Sequence, residues 1–410
     1  MVTDDSGNTS HALPVPVRAL IVARAVNRIG AFALPFTAVI LVEDFHASVT
    51  TAGAVVALFG LASIPSRLVG GVLADRWGRR PTMLLGLIGC AMAQLAFAAS
   101  PTLLLAAVAV ALLGLVFELY EPPSQAIIAD LCPPEQRPRA YSLLGTALAV
   151  AGVAAGLVAT VLGSVDLRWL LVADAASCLA AAALVLAAVP SLRPSADTSA
   201  GPGSPWRDRR LLVMWLAGIG FATLYLGSIV ALPLTLLARG LPASHLGWLL
   251  SVSAAVMVIG QRLLRDWAPT PFRAMTIGYV ALAAGLAVAG LATSMAGFVL
   301  AVAIWSVGDL LLLGHPFAVV AGLAPAGASA RYLAAFGTCW GVAAVIAPLG
   351  GTRLLAIDPS LPWVCAAALS LVLAAVQPLI GRAVGSGAGD RVGDGGLTRH
   401  EVPLGADAGA

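Results

Sequence analysis

The stretch Gly71-Val72-Leu73-Ala74-Asp75-Arg76-Trp77-Gly78-Arg79-Arg80-Pro81 places four charges in eleven residues, and the 37 residues from Pro81 to Phe117 then carry none. Crossing the hydrocarbon of a bilayer takes about 20 apolar residues per helix. The uncharged run is therefore read as two helices that turn back at Ser100-Pro101. Leu211–Ala238 is likewise free of charge, and so is Ala274–Gly308, with a turn near Ser294-Met295. The composition agrees: of 410 residues only 10% are charged and 60% are hydrophobic, with a mean hydropathy of +0.95. A water-facing surface needs charged residues at about a quarter of positions, so a soluble enzyme, a nucleic-acid binder and a disordered scaffold are excluded. The runs are also too long for a barrel, whose strands need about 10 residues of alternating polarity.

Twelve apolar spans are expected at 16–43, 48–74, 81–99, 102–130, 138–163, 167–189, 211–238, 244–265, 272–294, 296–321, 331–355 and 361–382. The fold class is all-α, twelve transmembrane helices in two six-helix bundles, 16–189 and 211–382. Residues 1–15 read as a cytoplasmic tail without signal-peptide character. Residues 190–210 are rich in Pro, Gly and Ser and read as a cytoplasmic linker, and 383–410 as a disordered cytoplasmic tail. Arg76, Arg79, Arg80, Arg137, Arg139, Arg193, Arg207, Arg209, Arg210, Arg265, Arg273 and Arg331 lie on the side of the termini, against Arg168, Arg239 and Arg353 on the other. That asymmetry predicts both termini inside. The five cysteines show no metal spacing and are read as small apolar residues.

The halves repeat. A shift of 192 residues aligns 126–146 with 318–338, with identities at Ala126/Ala318, Ala129/Ala321, Leu131/Leu323, Pro133/Pro325, Arg139/Arg331, Gly145/Gly337 and Thr146/Thr338. A parallel 6+6 repeat about an axis normal to the membrane is a transporter architecture.

With those residues in view, the 71–81 stretch resembles the G-x-L-x-D-R-x-G-R-R/K motif of the major facilitator superfamily, known as motif A. Gly71 suits a close helix approach, Asp75 suits a helix N-terminus, and Gly78 suits the turn. Arg76, Arg79 and Arg80 anchor the loop inside. The resemblance implies that Gly71, Asp75, Arg76, Gly78, Arg79 and Arg80 form a conformational latch, with Asp75 docking on the start of span 11 in the outward-open state. Arg79 and Arg80 are read first as topology markers. A reduced second copy stands at Arg265-Asp266-Trp267 and Pro271-Phe272-Arg273. Within the superfamily the chain looks most like the drug–proton antiporter branch, through Glu121-Pro122-Pro123 in span 4 and Pro133, Arg137 and Arg139 before span 5. It departs from that branch in span 5, where Gly145, Gly152 and Gly156 occur with Leu157 in place of a proline. A Pro-x-Gly-Gly run stands instead in span 11 at Pro348, Gly350 and Gly351.

Charged groups inside a membrane cost about 2.5–3.5 kcal/mol each on insertion scales and mark function or pairing. Arg24 and Arg28 in span 1, Glu118 and Glu121 in span 4, Asp174 in span 6 and Asp309 in span 10 stand out, with Arg67 in span 2. The resemblance puts spans 1, 4, 7 and 10 around a central cavity. Arg24 and Arg28 are four apart and Glu118 and Glu121 three apart, so each pair is expected on one helix face. Together they are expected to form a buried Arg–Glu cluster. In it Glu121, whose following prolines break helix pairing, carries the coupling proton, with Glu118 and Asp309 as further candidates. A permanent salt bridge between spans 1 and 4 is the competing reading. Phe32, Phe36, Phe221, Tyr225 and His315 are candidates for lining a substrate cavity, although ordinary packing accounts for most such aromatics, and His315 is read first as a contact to the backbone. Asp174 is read as structural.

The resemblance implies proton-driven export of small lipophilic compounds by alternating access at the bacterial cytoplasmic membrane. Its partners are a small-molecule substrate, protons and the lipid bilayer. No nucleic acid and no cofactor are expected, the proton gradient supplies the energy, and a monomer suffices. A proton symporter or uniporter for uptake is the alternative. An intramembrane enzyme would need a clustered set such as H-E-x-x-H, and the five histidines are far apart.

Overall fold

The computed structural model describes residues 13–31, 33–133, 136–191, 204–264, 267, 269–325 and 329–385. Fourteen α-helices run through them: α1 Val15–Gly30, α2 Ala33–Glu43, α3 Val49–Trp77, α4 Arg79–Ala98, α5 Leu103–Phe117, α6 Glu121–Leu131, α7 Arg137–Gly163, α8 Arg168–Ala188, α9 Arg209–Ala238, α10 Leu246–Leu263, α11 Pro271–Leu291, α12 Met295–Leu323, α13 Ser329–Ile357 and α14 Leu361–Gly385. They form twelve spans, because α1 and α2 together make span 1, and α5 and α6 make span 4. The protein is all-α, with six spans in each of two related bundles. Leu104, Val161, Leu291 and Val372 are among the many large apolar side chains left exposed on its outside, as a hydrocarbon solvent demands and water does not.

Local sequence sets the helix ends. At one end of the molecule, here the far end, Ser48 caps α3 through the Thr51 N–H (3.1 Å), Thr102 caps α5 and Ser294 caps α12. Thr102 and Ser294 are 192 residues apart, in the same extended conformation (φ −136°, ψ 151° and φ −130°, ψ 160°). The repeat thus extends to a hydroxyl N-cap. It extends to packing as well. A Cβ on Gly86 would lie 3.0 Å from the Tyr120 nitrogen and 3.1 Å from the Leu119 Cβ. One on Gly278 would meet Leu312 at 2.9 Å and Leu311 at 3.0 Å.

At the other, near end, Gly78 joins α3 to α4 with φ 97° and ψ 161°, a conformation essentially confined to glycine that costs an L side chain about 1–3 kcal/mol. Arg79 next to it donates to the Ala126 carbonyl (2.7 Å) and pairs with Asp130, and Arg80 donates to the Leu186 carbonyl near the end of α8. Both residues are thus helix-end clamps as well as loop charges. The far-end arginines work the same way. Arg168 holds Asp44 (2.6 Å) and the Ala98 carbonyl (3.2 Å). Arg239 donates to the carbonyls of Ala289, Gly290 and Ala292 at the end of α11 and to Ser360. A cation is favoured at a helix C-terminus, which accounts for arginine on that sparsely charged side. Partial burial lowers the Arg239 pKa from its ordinary value, partly offset by Asp358, and a guanidinium remains charged regardless.

The two bundles meet along α3 with α13 and α7 with α10. Both seams are closed toward the far end. A Cβ on Gly60 would overlap the Ala344 carbonyl, and one on Gly156 the Gly247 carbonyl. Toward the near end the α7 seam opens, and a Cβ on Gly145 would meet nothing within 4 Å.

Candidate functional site

Span 4 is the element that organises the charges. Pro122 and Pro123 have no N–H for the carbonyls four residues earlier, those of Glu118 and Leu119, and they suit the first turn of a helix, where that N–H has no partner to lose. α5 accordingly stops at Phe117 and α6 starts at Glu121, with Glu118 as the C-cap of α5 (φ −87°, ψ −4°). Gly70 of α3 and Gly86 of α4 make room for this irregular segment: a Cβ on Gly70 would stand 3.2 Å from the Leu119 Cα. Non-helical backbone at membrane depth is tolerated where protein encloses it or it lines a cavity.

The break separates the two glutamates, so they do not share one helix face as their spacing suggested. Glu121 lies in the first turn of α6, where the helix end favours an anion. Its carboxylate pairs with Arg24 of α1 and accepts from Gln125 Nε2 (2.9 Å). The Arg24 guanidinium also lies over the Tyr120 ring at 5.0 Å, a cation–π contact. Glu118 turns the other way, to α3. Its Oε2 accepts from Arg67 Nε (3.2 Å) and Nη2 (3.0 Å), and its backbone N–H donates to Ser66 Oγ (3.2 Å). Arg67 then reaches across the seam, donating from Nη1 to the Gly337 carbonyl of α13 (3.2 Å).

The expected four-residue cluster is thus two separate pairs. Arg24 holds Glu121, but Glu118 is held by Arg67 in place of Arg28. Arg28 is exposed and makes no ion pair among the described residues; it faces the other bundle, within electrostatic reach of Tyr225. Sequence reasoning placed Arg67 in span 2 without giving it a role. Its signal was there, since an arginine at membrane depth needs a carboxylate partner. Asp174 is buried beside Cys178, which also receives the Asn27 amide (3.2 Å).

The C-terminal bundle is different. α12 runs unbroken past Asp309, which is 6% exposed and whose Oδ1 has no hydrogen-bond partner among the described residues. No hydrogen bond or ion pair joins His315 to it among the described residues, and the His315 Nδ1 sits 2.7 Å from the Leu311 carbonyl. Phe221, Tyr225 and Trp340 pack ring on ring, with centroids 5.4–6.2 Å apart, and Tyr279 joins at 6.4 Å from Phe221. These side chains fill space more than they line an open site. Phe36 is fully buried in the core, which corrects its candidacy for the cavity. Phe32 and the side chain of Asp75 lie outside the described residues, as do Arg265 and Asp266 of the second motif copy, and Gly71 is described only as part of α3. Arg76 is exposed.

A pocket of about 160 Å³ opens between α9, α13 and α14 toward the far end, lined by Thr223, Gly227, Gly350, Gly351 and Trp363. The Pro348-x-Gly-Gly run marks it, since neither Gly350 nor Gly351 has an atom within 4 Å of where a Cβ would be. Among the described residues no three His, Cys, Asp or Glu side chains gather as a metal site.

Comparison with known proteins agrees with this architecture. A family description of the Major Facilitator Superfamily matches residues 20–348. The chain is 25% identical over 335 residues to "Uncharacterized MFS-type transporter YhjO" of Bacillus subtilis (strain 168), covering 80% of this chain and 82% of that protein. It is 25% identical over 325 residues to "Multidrug resistance protein MdtH" of Klebsiella pneumoniae (strain 342), covering 74% and 79%. Among solved structures, a bacterial homolog of the human lysosomal transporter Spinster, in an inward-facing and occupied conformation, superposes with a TM-score of 0.70 at 16% identity, covering 89% of this chain and 96% of that one. A POT family transporter in complex with 5-aminolevulinic acid gives a TM-score of 0.76 at 12% identity, covering 92% and 98%. Twelve spans in two repeated bundles, a full motif A and a family match over most of the length lead to one assignment: the chain belongs to the major facilitator superfamily of membrane transporters.

Proposed function

We propose that the protein exports small lipophilic compounds from the bacterial cytoplasm in exchange for protons, with both termini cytoplasmic. In that orientation the near end faces inward, and the closed far-end seams make the structure an inward-facing state. The observation that carries the proposal is the Arg24–Glu121 pair at the break in span 4. Coupling sites of secondary transporters lie near the midplane on discontinuous helices. A glutamate at such a break changes surroundings when the bundles rock: ion-paired it stays charged, and desolvated without its partner it takes up a proton. Glu121 is therefore the proton carrier, and Arg24 the cation that replaces the proton after release. The name of the MdtH relatives, multidrug resistance protein, supports the reading of export. In motif A, Gly71, Asp75 and Arg76 serve as the latch toward the start of α13, and Gly78, Arg79 and Arg80 hold the loop in shape for it.

The test is export and growth inhibition with a compound panel in an efflux-deficient host, comparing the wild type with Glu121→Gln. Resistance to some compounds is expected with the wild type and is lost in the variant. Unchanged sensitivity to every compound, with energised accumulation of a solute, would show uptake instead.

A further inference from the structure

Along the α3–α13 seam the contacts descend in register from the far end: Gly53 with Thr352, Gly60 with Ala344, Ile64 with Gly341, and Arg67 with Gly337. The first three are close contacts of uncharged groups. The fourth, nearest the near end, is a hydrogen bond from a guanidinium whose other two contacts both go to one oxygen of Glu118. Arg67 is thus held by span 2, oriented by span 4 of its own bundle, and joined to span 11 of the other. Among the described residues the second seam has no charged link of this kind; its cross-bundle hydrogen bond runs from the neutral Ser251 Oγ to the Val153 carbonyl (3.2 Å). Gly145 of α7, the repeat counterpart of Gly337, faces open space, and at an offset of 191–192 residues Arg67 corresponds to Val258 or Ile259. A strap on one seam alone is not required by the repeated fold.

We propose that Arg67 is a positioning residue of the transport cycle that ties the charge on Glu118 to closure of the α3–α13 seam. With Glu118 ionised, two charge-assisted bonds fix the guanidinium so that its third N–H reaches the Gly337 carbonyl, and the far end stays closed. Charge-assisted hydrogen bonds are about twice as strong as neutral ones. A proton on Glu118 therefore weakens the hold, frees the guanidinium and shifts the population toward a far-end-open state. The groups that act on Glu118 are Arg67 and Ser66 of α3, Arg24 of α1, Glu121 of α6 and the Cys90 thiol of α4. Arg67 and Arg24 favour its charge, and Glu121 opposes it. The proposal rests on alternating access, and neither on the direction of export nor on Glu121 as carrier.

The experiment is double electron–electron resonance between spin labels at Val165 and Ile357, both exposed at the far end on opposite bundles. It uses the full chain in lipid nanodiscs without substrate, from pH 5 to pH 9, with Cys365→Ser removing the exposed cysteine. In the wild type the long-distance population is expected to rise as pH falls, changing the closed-to-open ratio by about fivefold or more, a typical coupling. Glu118→Gln and Arg67→Met are expected to be open at all pH values, with Arg67→Lys restoring part of the dependence. Gly337→Ala, whose Cβ would lie 2.7 Å from Nη1, displaces the guanidinium without altering any charge and is expected to flatten the pH response too. Glu121→Gln is expected to keep the pH-dependent distance while losing proton-driven transport, so the two proposals fail separately. A wild type without pH response, or an unchanged response in Arg67→Met, Glu118→Gln and Gly337→Ala alike, would overturn the assignment.

Discussion

The two bundles share a backbone plan and differ in chemistry at equivalent places. In the N-terminal bundle, spans 1 and 4 are each broken into two helices and hold Arg24, Arg28, Glu118 and Glu121. At the 192-residue offset the C-terminal bundle has Leu216, Gly220, Leu310 and Leu313, on helices α9 and α12 that run without a break. Caps and close approaches are conserved between the halves, through Thr102 and Ser294, and Gly86 and Gly278. The C-terminal bundle is therefore an internal control: the fold needs the glycines and the caps, and it does not need the charges. Their cost of about 2.5–3.5 kcal/mol each on insertion scales is met at these positions in the N-terminal bundle, while the C-terminal bundle buries Asp309 in span 10, so the paired charges point to use in the N-terminal bundle.

The comparison can be broken first at the seams. Gly60→Leu puts a side chain where a Cβ already overlaps the Ala344 carbonyl. Overpacking of about 1–3 kcal/mol in the closed state is expected to cut transport about tenfold or more, measured as efflux rate in cells. Gly145→Ala, on the seam that opens, is expected to leave that rate unchanged. The helix-end clamps come next. Arg239→Ala removes donors to three carbonyls and Ser360, and about 1.5–3 kcal/mol per charged contact network is expected as a lower melting temperature in detergent. Arg168→Ala should act similarly on the other bundle, because this role is shared by both. Gly78→Ala imposes φ 97° and ψ 161° on a side chain and is expected to lower thermal stability by about 1–3 kcal/mol. The smallest effect is expected from Asp309→Asn. If coupling resides in the N-terminal bundle, the pH-driven rate changes by less than about twofold, roughly 0.4 kcal/mol.

Much of this fold was legible because membrane helices write their length and polarity directly in sequence. The uncharged run 81–117 turned at Ser100-Pro101 as read, and the shift of 192 residues found a repeat that the caps extend. The break in span 4 was less legible. Glu118 and Glu121 have helical spacing, and reading them as one face ignored that Pro122 and Pro123 strip hydrogen bonds from the residues just before them. The partner of Glu118 followed from that break, since only a separate helix end lets it face α3 and not α1. Span 1 also divides, between Gly30 and Ala33, where Pro35 in the first turn of α2 has no N–H for the Ala31 carbonyl. Aromatic spacing at Phe221 and Tyr225 could not distinguish a packed cluster from a cavity, because both need the same face.

The central claim is that the coupling proton is carried at the break in span 4 of the N-terminal bundle. Its most direct measurement is pH-gradient-driven transport of an exported compound into reconstituted vesicles, comparing Glu121→Gln with Asp309→Asn. The account predicts that Glu121→Gln abolishes gradient-driven transport while leaving downhill movement of the compound, and that Asp309→Asn retains both. Full gradient-driven transport in Glu121→Gln, with its loss in Asp309→Asn, would contradict the account and move the coupling to the C-terminal bundle.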